Sequence, residues 1–576
     1  MKKTFLLSCL MLAAMPVMAA YTGHVYVDKN KNGVFDQSEK PLAGIKVSDG
    51  LNVVETAADG SFTLPGHERE RFIFITTPSG YKTFNRHYHK IEKKQSGYDF
   101  GLIPYSGRIR KDGSHRYIHI TDTEIFNTEN HADWVNNVRD YARNEQAAFI
   151  IHTGDICYEK GLKAHIKLMN TENMDCPVFY CIGNHDLVKG KYGEELFESI
   201  YGPVYYSFDA GNVHYVVTPM PGGDHAPGYT SDDVCRWLKN DLAHIRPGTP
   251  VVVFNHDLLT YEDTFIFKSK NAGSINLNEY NLKAWVYGHW HINYMKKQGD
   301  VYSVCTSSLD KGGIDHSTTA FRVMHVDSKG DFTSELRYTY LDKNICIASP
   351  AGVMASGVLP VAVNVYSSVS PVREVLYTCL ADGKPVLKNK RLLQSTDWSW
   401  NGELPLSHKY VGKELTLRVT ARFNNGEIAE AESNFICRTE KAVPLFSADW
   451  DNLSGNAKHS APVSAPLNLP LQLAWTNNVG ANLYMTSPLI HKGKVIVASV
   501  DEDLKGAGHV YALNGKDGTI LWSCPVRNSI KNSIAVDSDI VFAQDAQGFL
   551  YAIDTETGKL CWEKQLPVNG LPALID

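Results

Sequence analysis

Val178-Phe-Tyr-Cys-Ile-Gly-Asn-His-Asp186 and Ala284-Trp-Val-Tyr-Gly-His-Trp-His291 share one construction: a short apolar run, a glycine, then a cluster of oxygen and imidazole donors. A run this short, rich in β-branched and aromatic residues, reads as a buried strand. The glycine after it lets backbone pass close to whatever the donors hold. Related constructions occur three more times. Tyr117-Ile-His-Ile120 precedes Thr121-Asp122-Thr123-Glu124, Phe149-Ile-Ile151 precedes Gly154-Asp155, and Val251-Val-Val-Phe254 precedes Asn255-His256. Helical patterns lie between several of the runs, at Ala132 to Gln146 and from Ser231, a capping residue, to His244. Strands alternating with helices over residues 106–340 predict a layered α/β domain. Open sheets of that class carry their chemistry at the strand ends.

One such cluster means little, because Gly-Asp is a common turn and a single strand-end histidine is usually a core residue. Five in order, offering hard oxygens and imidazoles, form a metal-ligand set: Asp122, Glu124, Asp155, Asn184, His256, His289 and His291. The set resembles the calcineurin-like metallophosphoesterases, whose pattern is D-x-H, G-D, G-N-H-D/E, H and G-H-x-H. The resemblance covers residues 115 to 325, with the last four blocks intact and Glu124 standing where the family has histidine. It implies a four-layer sandwich, two sheets between helices, and two divalent or mixed-valence transition metals (Mn, Fe or Zn). By resemblance Asp155 bridges them. Asp122, His291 and Glu124 complete the first site, and Asn184, His256 and His289 the second. His185 is then the general acid for the leaving oxygen, held by Asp186. Two metals suit a phosphoester, which repels nucleophiles unless cations offset its charge. Gly154-Asp-Ile-Cys-Tyr158 and Val253-Phe-Asn-His256 also resemble blocks of the purple acid phosphatases, in which that tyrosine ligates ferric iron. Tyr158 is therefore the competitor to Glu124 for the first metal.

The flanks read as β modules. Residues 21–105 alternate apolar and polar positions in short runs, as a small β-sandwich does. Inside them, Asp28, Asn30, Asn32, Val34, Asp36 and Glu39 stand at positions 1, 3, 5, 7, 9 and 12 of a calcium-type loop, with Gly33 at position 6. This segment resembles the prealbumin-like modules of exported proteins, and the loop is expected to hold a structural calcium. Residues 341–440 predict another β-sandwich, resembling fibronectin or immunoglobulin modules. In residues 445–576, Val510-Tyr-Ala-Leu-Asn-Gly-Lys-Asp-Gly-Thr-Ile-Leu-Trp522 recurs as Leu550-Tyr-Ala-Ile-Asp-Thr-Glu-Thr-Gly-Lys-Leu-Cys-Trp562, and Ala474-Trp475 ends an earlier copy. A repeat of this length ending in tryptophan means propeller blades, and the pattern resembles quinoprotein-type propellers. Closed propellers need ~4–8 blades, so the propeller is incomplete. Pro572-Ala-Leu-Ile-Asp576 reads as the opening of another blade, and too few blades are present to enclose a quinone.

With 576 residues the chain is multidomain. Lys2 and Lys3, the apolar run to Val17 and the small residues before Ala20 make residues 1–20 a secretory signal. The apolar run is too short to span a bilayer, which takes ~20 residues. Its loss moves the formal charge from −6 to −8, without the basic footprint of a nucleic-acid scaffold, and leaves ten of eleven cysteines, with no CxxC pair. The sequence thus predicts a periplasmic or secreted dimetal hydrolase of phosphate mono- or diesters, whose β modules are available for glycan or protein contact. The alternative is a binding scaffold around a degenerate phosphoesterase domain.

Overall fold

The apolar runs of the α/β domain become the strands of two sheets packed face to face. The computed structural model describes residues 20–95, 97–439, 449–460, 473–483, 486–503 and 506–566. In the first sheet the spatial order is Val178–Tyr180, Ile150–His152, His115–Ile120, Ala320–Val326 and Phe332–Tyr338. Its first three strands run parallel. The second sheet contains Tyr206–Ala210, Val213–Val217, Val251–Phe254, Leu282–Tyr287, Val301–Cys305 and Tyr294–Gln298, in that order, with its four central strands parallel. Tyr117 and Phe149 from the first sheet meet Tyr215 and Phe254 from the second, filling the seam with edge-on aromatic contacts.

Helices close both outer faces. Helix α1 (Ala132–Asn144), α2 (Tyr158–Leu168) and α3 (Glu195–Tyr201) set Trp134, Leu162 and Phe197 in one core with Ile118 and Ile150. Helix α4 (Ser231–Ala243) buries Trp237 and Leu238 against the other sheet. This is the four-layer arrangement. The cap of α4 falls one residue earlier than the sequence reading: Thr230 accepts from the Asp233 N–H and Asp233 returns the bond, a capping box. Because the parallel strands share a direction, the polar segments after Ile120, His152, Tyr180, Phe254 and Tyr287 gather along one edge.

The flanks are β throughout. Two sheets within residues 21–104 form the N-terminal module, which Arg71 ties to Glu194 and Glu198 at 2.7 and 2.8 Å. Two further sheets span residues 344–438, around a core that includes Trp400, Leu404 and Phe435. Beyond them stand two four-stranded antiparallel sheets, from Leu489 to Val526 and from Ala535 to Gln565. Trp475 and Trp522 each dock on the next repeat's turn. Trp475 donates to the Gly515 carbonyl at 2.8 Å and Trp522 to that of Thr555 at 3.0 Å. A Cβ on Gly518 or Gly558 would fall 2.3 or 2.6 Å from the indole, which is why those turns carry glycine.

The N-terminal run, except residue 20, and the Pro572–Asp576 segment lie outside the described residues. Among the described residues no helix is long and apolar enough to cross a membrane, and all ten cysteines are free.

Candidate metal centre

Five of the seven donors reach the shared edge on a tightly turned backbone. Asp122, Glu124, Asp155, His289 and His291 all adopt positive φ, between 43° and 66°, a region that side chains other than glycine enter at a cost. Such strain gathers at functional sites. The neighbouring glycines are required by space. A Cβ on Gly183 would lie 2.2 Å from Asp155 Oδ1, and one on Gly288 would lie 1.9 Å from Thr121 Oγ1.

The donors meet in two overlapping groups. In one, His291 Nε2 lies 3.4 Å from Asp122 Oδ1 and 3.5 Å from Glu124 Oε1. In the other, His256 Nε2 lies 3.0 Å from Asp155 Oδ2, and ligating atoms of Asp155, His256 and His289 all fall within 4.8 Å of one another. His256 Nε2 is 3.9 Å from Asp122 Oδ1, which joins the groups. Donors ~2.0–2.2 Å from one cation stand ~3–3.5 Å apart, as the His256–Asp155, His291–Asp122 and His291–Glu124 pairs do. The fit has a second sign. Asn184 Oδ1 is buried without a hydrogen-bond partner, which polar atoms avoid unless something else satisfies them. His256 Nδ1 meets the Thr153 carbonyl at 2.7 Å, which turns its Nε2 toward Asp155 and the cluster. Asp122 is held by Thr121 Oγ1 at 2.8 Å and by the His289 N–H at 3.0 Å.

The charges support one another. Burial favours neutral Asp155, yet the His256 charge and hydrogen bonds hold its pKa below the ordinary carboxylate value. Burial likewise opposes a charge on His256, but Asp155 pushes its pKa up to about 10. His289 is lowered by burial and by the charge of His256. The hydrogen bond to Asp122 raises His291.

His185 stands beside the cluster, its N–H donating to Asp155 Oδ1 at 3.0 Å. Its expected partner needs correction. Asp186 does not hold the imidazole: its carboxylate turns inward and accepts the Cys157 and Gly183 N–H groups, both at 2.9 Å. Burial and the nearby Asp155 charge raise Asp186 to about 7. The partner of His185 is Asp224, with Oδ2 2.9 Å from Nδ1. Asp224 sits in Pro221-Gly-Gly-Asp-His225, where a Cβ on Gly223 would lie 2.3 Å from the Asn184 carbonyl. Burial disfavours charge on His185, but the Asp224 hydrogen bond and the Asp155 charge raise its pKa overall.

Glu124 takes a second partner that the sequence did not suggest, Lys311 Nζ at 2.8 Å. The Tyr158 ring is exposed, stacked on Phe126 with centroids 6.4 Å apart and 5.4 Å from the His185 ring. Trp290 donates to Asp257 at 3.1 Å and stacks on Tyr261 at 6.1 Å. Lys191, after the Gly-Asn-His-Asp block, is a solvated residue paired with Glu195.

The calcium-type loop is separate. Buried Asp28 accepts the Asn32 and Gly33 N–H groups at 3.2 and 2.9 Å. Asn30 and Asn32 donate to Asp36, and Glu39 closes the turn by accepting from the Lys29 and Asp36 N–H groups. Val34 donates its N–H to Asn32 Oδ1 at 2.8 Å. All six residues thus share one turn.

Comparison with known proteins matches residues 29–104 to the N terminal of calcineurin-like phosphoesterase, residues 115–293 to calcineurin-like phosphoesterase, and residues 472–572 to the outer membrane protein assembly factor BamB. Purple acid phosphatase 13 of Arabidopsis thaliana is 26% identical over 215 residues, 35% of this chain. The chain spans about a third (36%) of that relative's length. Among solved structures, a predicted phosphoesterase from Streptococcus pneumoniae TIGR4 is 13% identical over 39% of this chain and 90% of its own, with a TM-score of 0.21. BamB from Moraxella catarrhalis is 16% identical over 16% of this chain and 28% of its own, with a TM-score of 0.15.

Proposed function

From a chain built around a calcineurin-like phosphoesterase domain, with that family's N-terminal domain before it and BamB-like repeats after it, we propose an exported dimetal hydrolase of phosphate mono- or diesters. The observation that carries this reading is the orphaned buried Asn184 Oδ1 beside the converging ligand atoms of Asp155, His256 and His289. Asp122, Glu124 and His291 would hold one cation, Asn184, His256 and His289 the other, and Asp155 both.

Bound there, two transition metals supply positive charge against the phosphoester and lower the pKa of water at neutral pH. The protein groups do the rest. Asp155 is fixed by the His185 N–H, and Asp122 by Thr121 and the His289 N–H, so neither carboxylate has to reorganise. His185 is part-exposed at the rim, and Asp224 keeps its ring oriented and favours its protonated form. It is the group that gives a proton to the departing oxygen.

Purified protein loaded with Mn²⁺ should hydrolyse p-nitrophenyl phosphate or bis-p-nitrophenyl phosphate, and Asp155→Ala should abolish turnover and metal binding together. Two bound metals with no turnover of either ester class, Fe and Zn included, would favour the scaffold alternative. Absence of metal binding would remove the reading altogether.

A further inference from the structure

The segment leaving the last metal-ligand candidate is held by residues more than two hundred positions away in the chain. After His291 the chain enters the strand Tyr294–Gln298, and three alternate carbonyls along the way each accept a bond from another segment. The His291 carbonyl accepts from the Ile314 N–H at 2.9 Å. That of Asn293 accepts from Lys531 Nζ at 2.6 Å, and that of Met295 from Asn528 Nδ2 at 3.0 Å. Lys531 and Asn528 belong to the connection between the two C-terminal repeat sheets. Both side chains are buried.

Lys531 also joins two carboxylates. Its ammonium lies 2.6 Å from Asp315 Oδ2 and pairs with Glu502, which is also buried. Asp315 follows Ile314, so one ammonium clamps the segment after His291 to the loop that caps His291 itself. Gly506 closes the contact: a Cβ there would lie 2.0 Å from the Met295 carbonyl. Burying three charges is a poor way to gain stability, since apolar side chains of similar size hold two surfaces together as well or better. What the charges provide is a fixed position for particular carbonyls. Partners bonded directly to a ligand aim a metal site, and their loss typically costs ~10–100-fold in metal affinity. Lys531 and Asn528 act one step further back, through the carbonyls two and four residues after His291, so the low end of that range applies.

We infer that Lys531 and Asn528 are positioning residues for the metal ligand His291, so that the C-terminal repeats form the back wall of the active site. The inference rests on the dimetal reading above. Its test is Mn²⁺ titration of the metal-stripped full-length protein, followed by calorimetry and by the electron paramagnetic resonance of free Mn²⁺. The wild type should bind two Mn²⁺, and His291→Ala should identify the step that depends on His291. Asn528→Ala and Lys531→Met should weaken that same step ~10-fold while changing the other less than ~3-fold. Asn528→Ala leaves no buried charge unpaired, so it decides the matter should Lys531→Met fail to fold. Folded variants with a lower thermal midpoint but both Mn²⁺ affinities intact would overturn the inference, leaving the repeats merely docked. A wild type that does not bind two metals would instead overturn the dimetal reading and the inference with it.

Discussion

His185 and Asp155 touch, yet their replacement should have opposite signatures. Asp155 accepts from the His185 N–H and faces His256, so Asp155→Ala removes a donor that both groups of ligands share. His185→Ala removes only the proton donor, and the rate should fall ~10²–10⁴-fold with metal content unchanged. Asp224→Asn keeps a hydrogen bond but not the charge, so it should cost less than His185→Ala. Metal analysis beside the kinetics decides this: a metal-free His185→Ala protein would mean the imidazole is a ligand. Glu124 and Tyr158 present a similar choice. Glu124 reaches to 3.5 Å from His291, whereas the Tyr158 ring lies exposed on Phe126. Iron-loaded protein should therefore lack the visible absorption of a tyrosinate–iron bond. A purple protein that bleaches in Tyr158→Phe would reverse the assignment. The ligand set was legible in the sequence because each donor follows a strand by two to four residues. Asp224 was not, because it pairs with His185 across 39 residues through a loop, and no periodicity announces such a contact.

Strands and turns were legible where local rules act alone. The apolar runs, the forty-residue repeat and the calcium-type turn each follow from spacing within a short window, whereas the order of strands in the sheets is a long-range outcome. The turn from Asp28 to Glu39 gathers the Asn30 and Asn32 amides on Asp36 and buries Asp28. Calcium bound only by the folded turn adds stability by mass action, ~2.7 kcal/mol at a hundredfold excess over the dissociation constant. Thermal scans of the full chain in calcium and in chelator should differ in the transition of the N-terminal module, and Glu39→Gln should erase the difference. Identical scans would leave only a polar turn. A second element-level tie escaped the sequence reading. His214, on an inner strand, bonds Asp209 at 2.7 Å and Asp241 of α4 at 2.8 Å. Burial opposes its charge, but the two carboxylates raise it to about 9. With the folded pKa above the ordinary ~6.5, the stabilisation is complete below pH 6.5 and is lost as pH rises through 9, on the order of 3 kcal/mol. Midpoints measured from pH 6.5 to 9.5 should fall, and His214→Gln should flatten that slope. A wild-type slope no steeper than the variant's would show that His214 is neutral in the fold.

Across the whole chain, export and cysteine usage make a joint claim. An oxidising compartment allows disulfides, yet the ten cysteines in the described residues are free, eight of them buried and only Cys346 and Cys561 exposed. They are spread among separate cores: Cys181, Cys235 and Cys305 in one, Cys176 in another, Cys379 and Cys437 in the sandwich, Cys524 in the repeats. Buried thiols behave as small hydrophobes, and burial raises the pKa of Cys181 and Cys305, which keeps them unreactive. The architecture therefore relies on packing and buried polar ties such as Arg322, which donates to the Glu502 carbonyl at 2.7 Å, rather than on covalent staples. Thiol counting tests this together with the proposed removal of residues 1–20, because that segment carries Cys9. Protein recovered from the periplasm or medium should react at two thiols when native and at ten when denatured without reductant. Eleven would mean that the leader is retained, and eight would mean that one disulfide forms. Either count would separate the export proposal from the cysteine chemistry, since the first denies processing and the second denies a fully reduced fold.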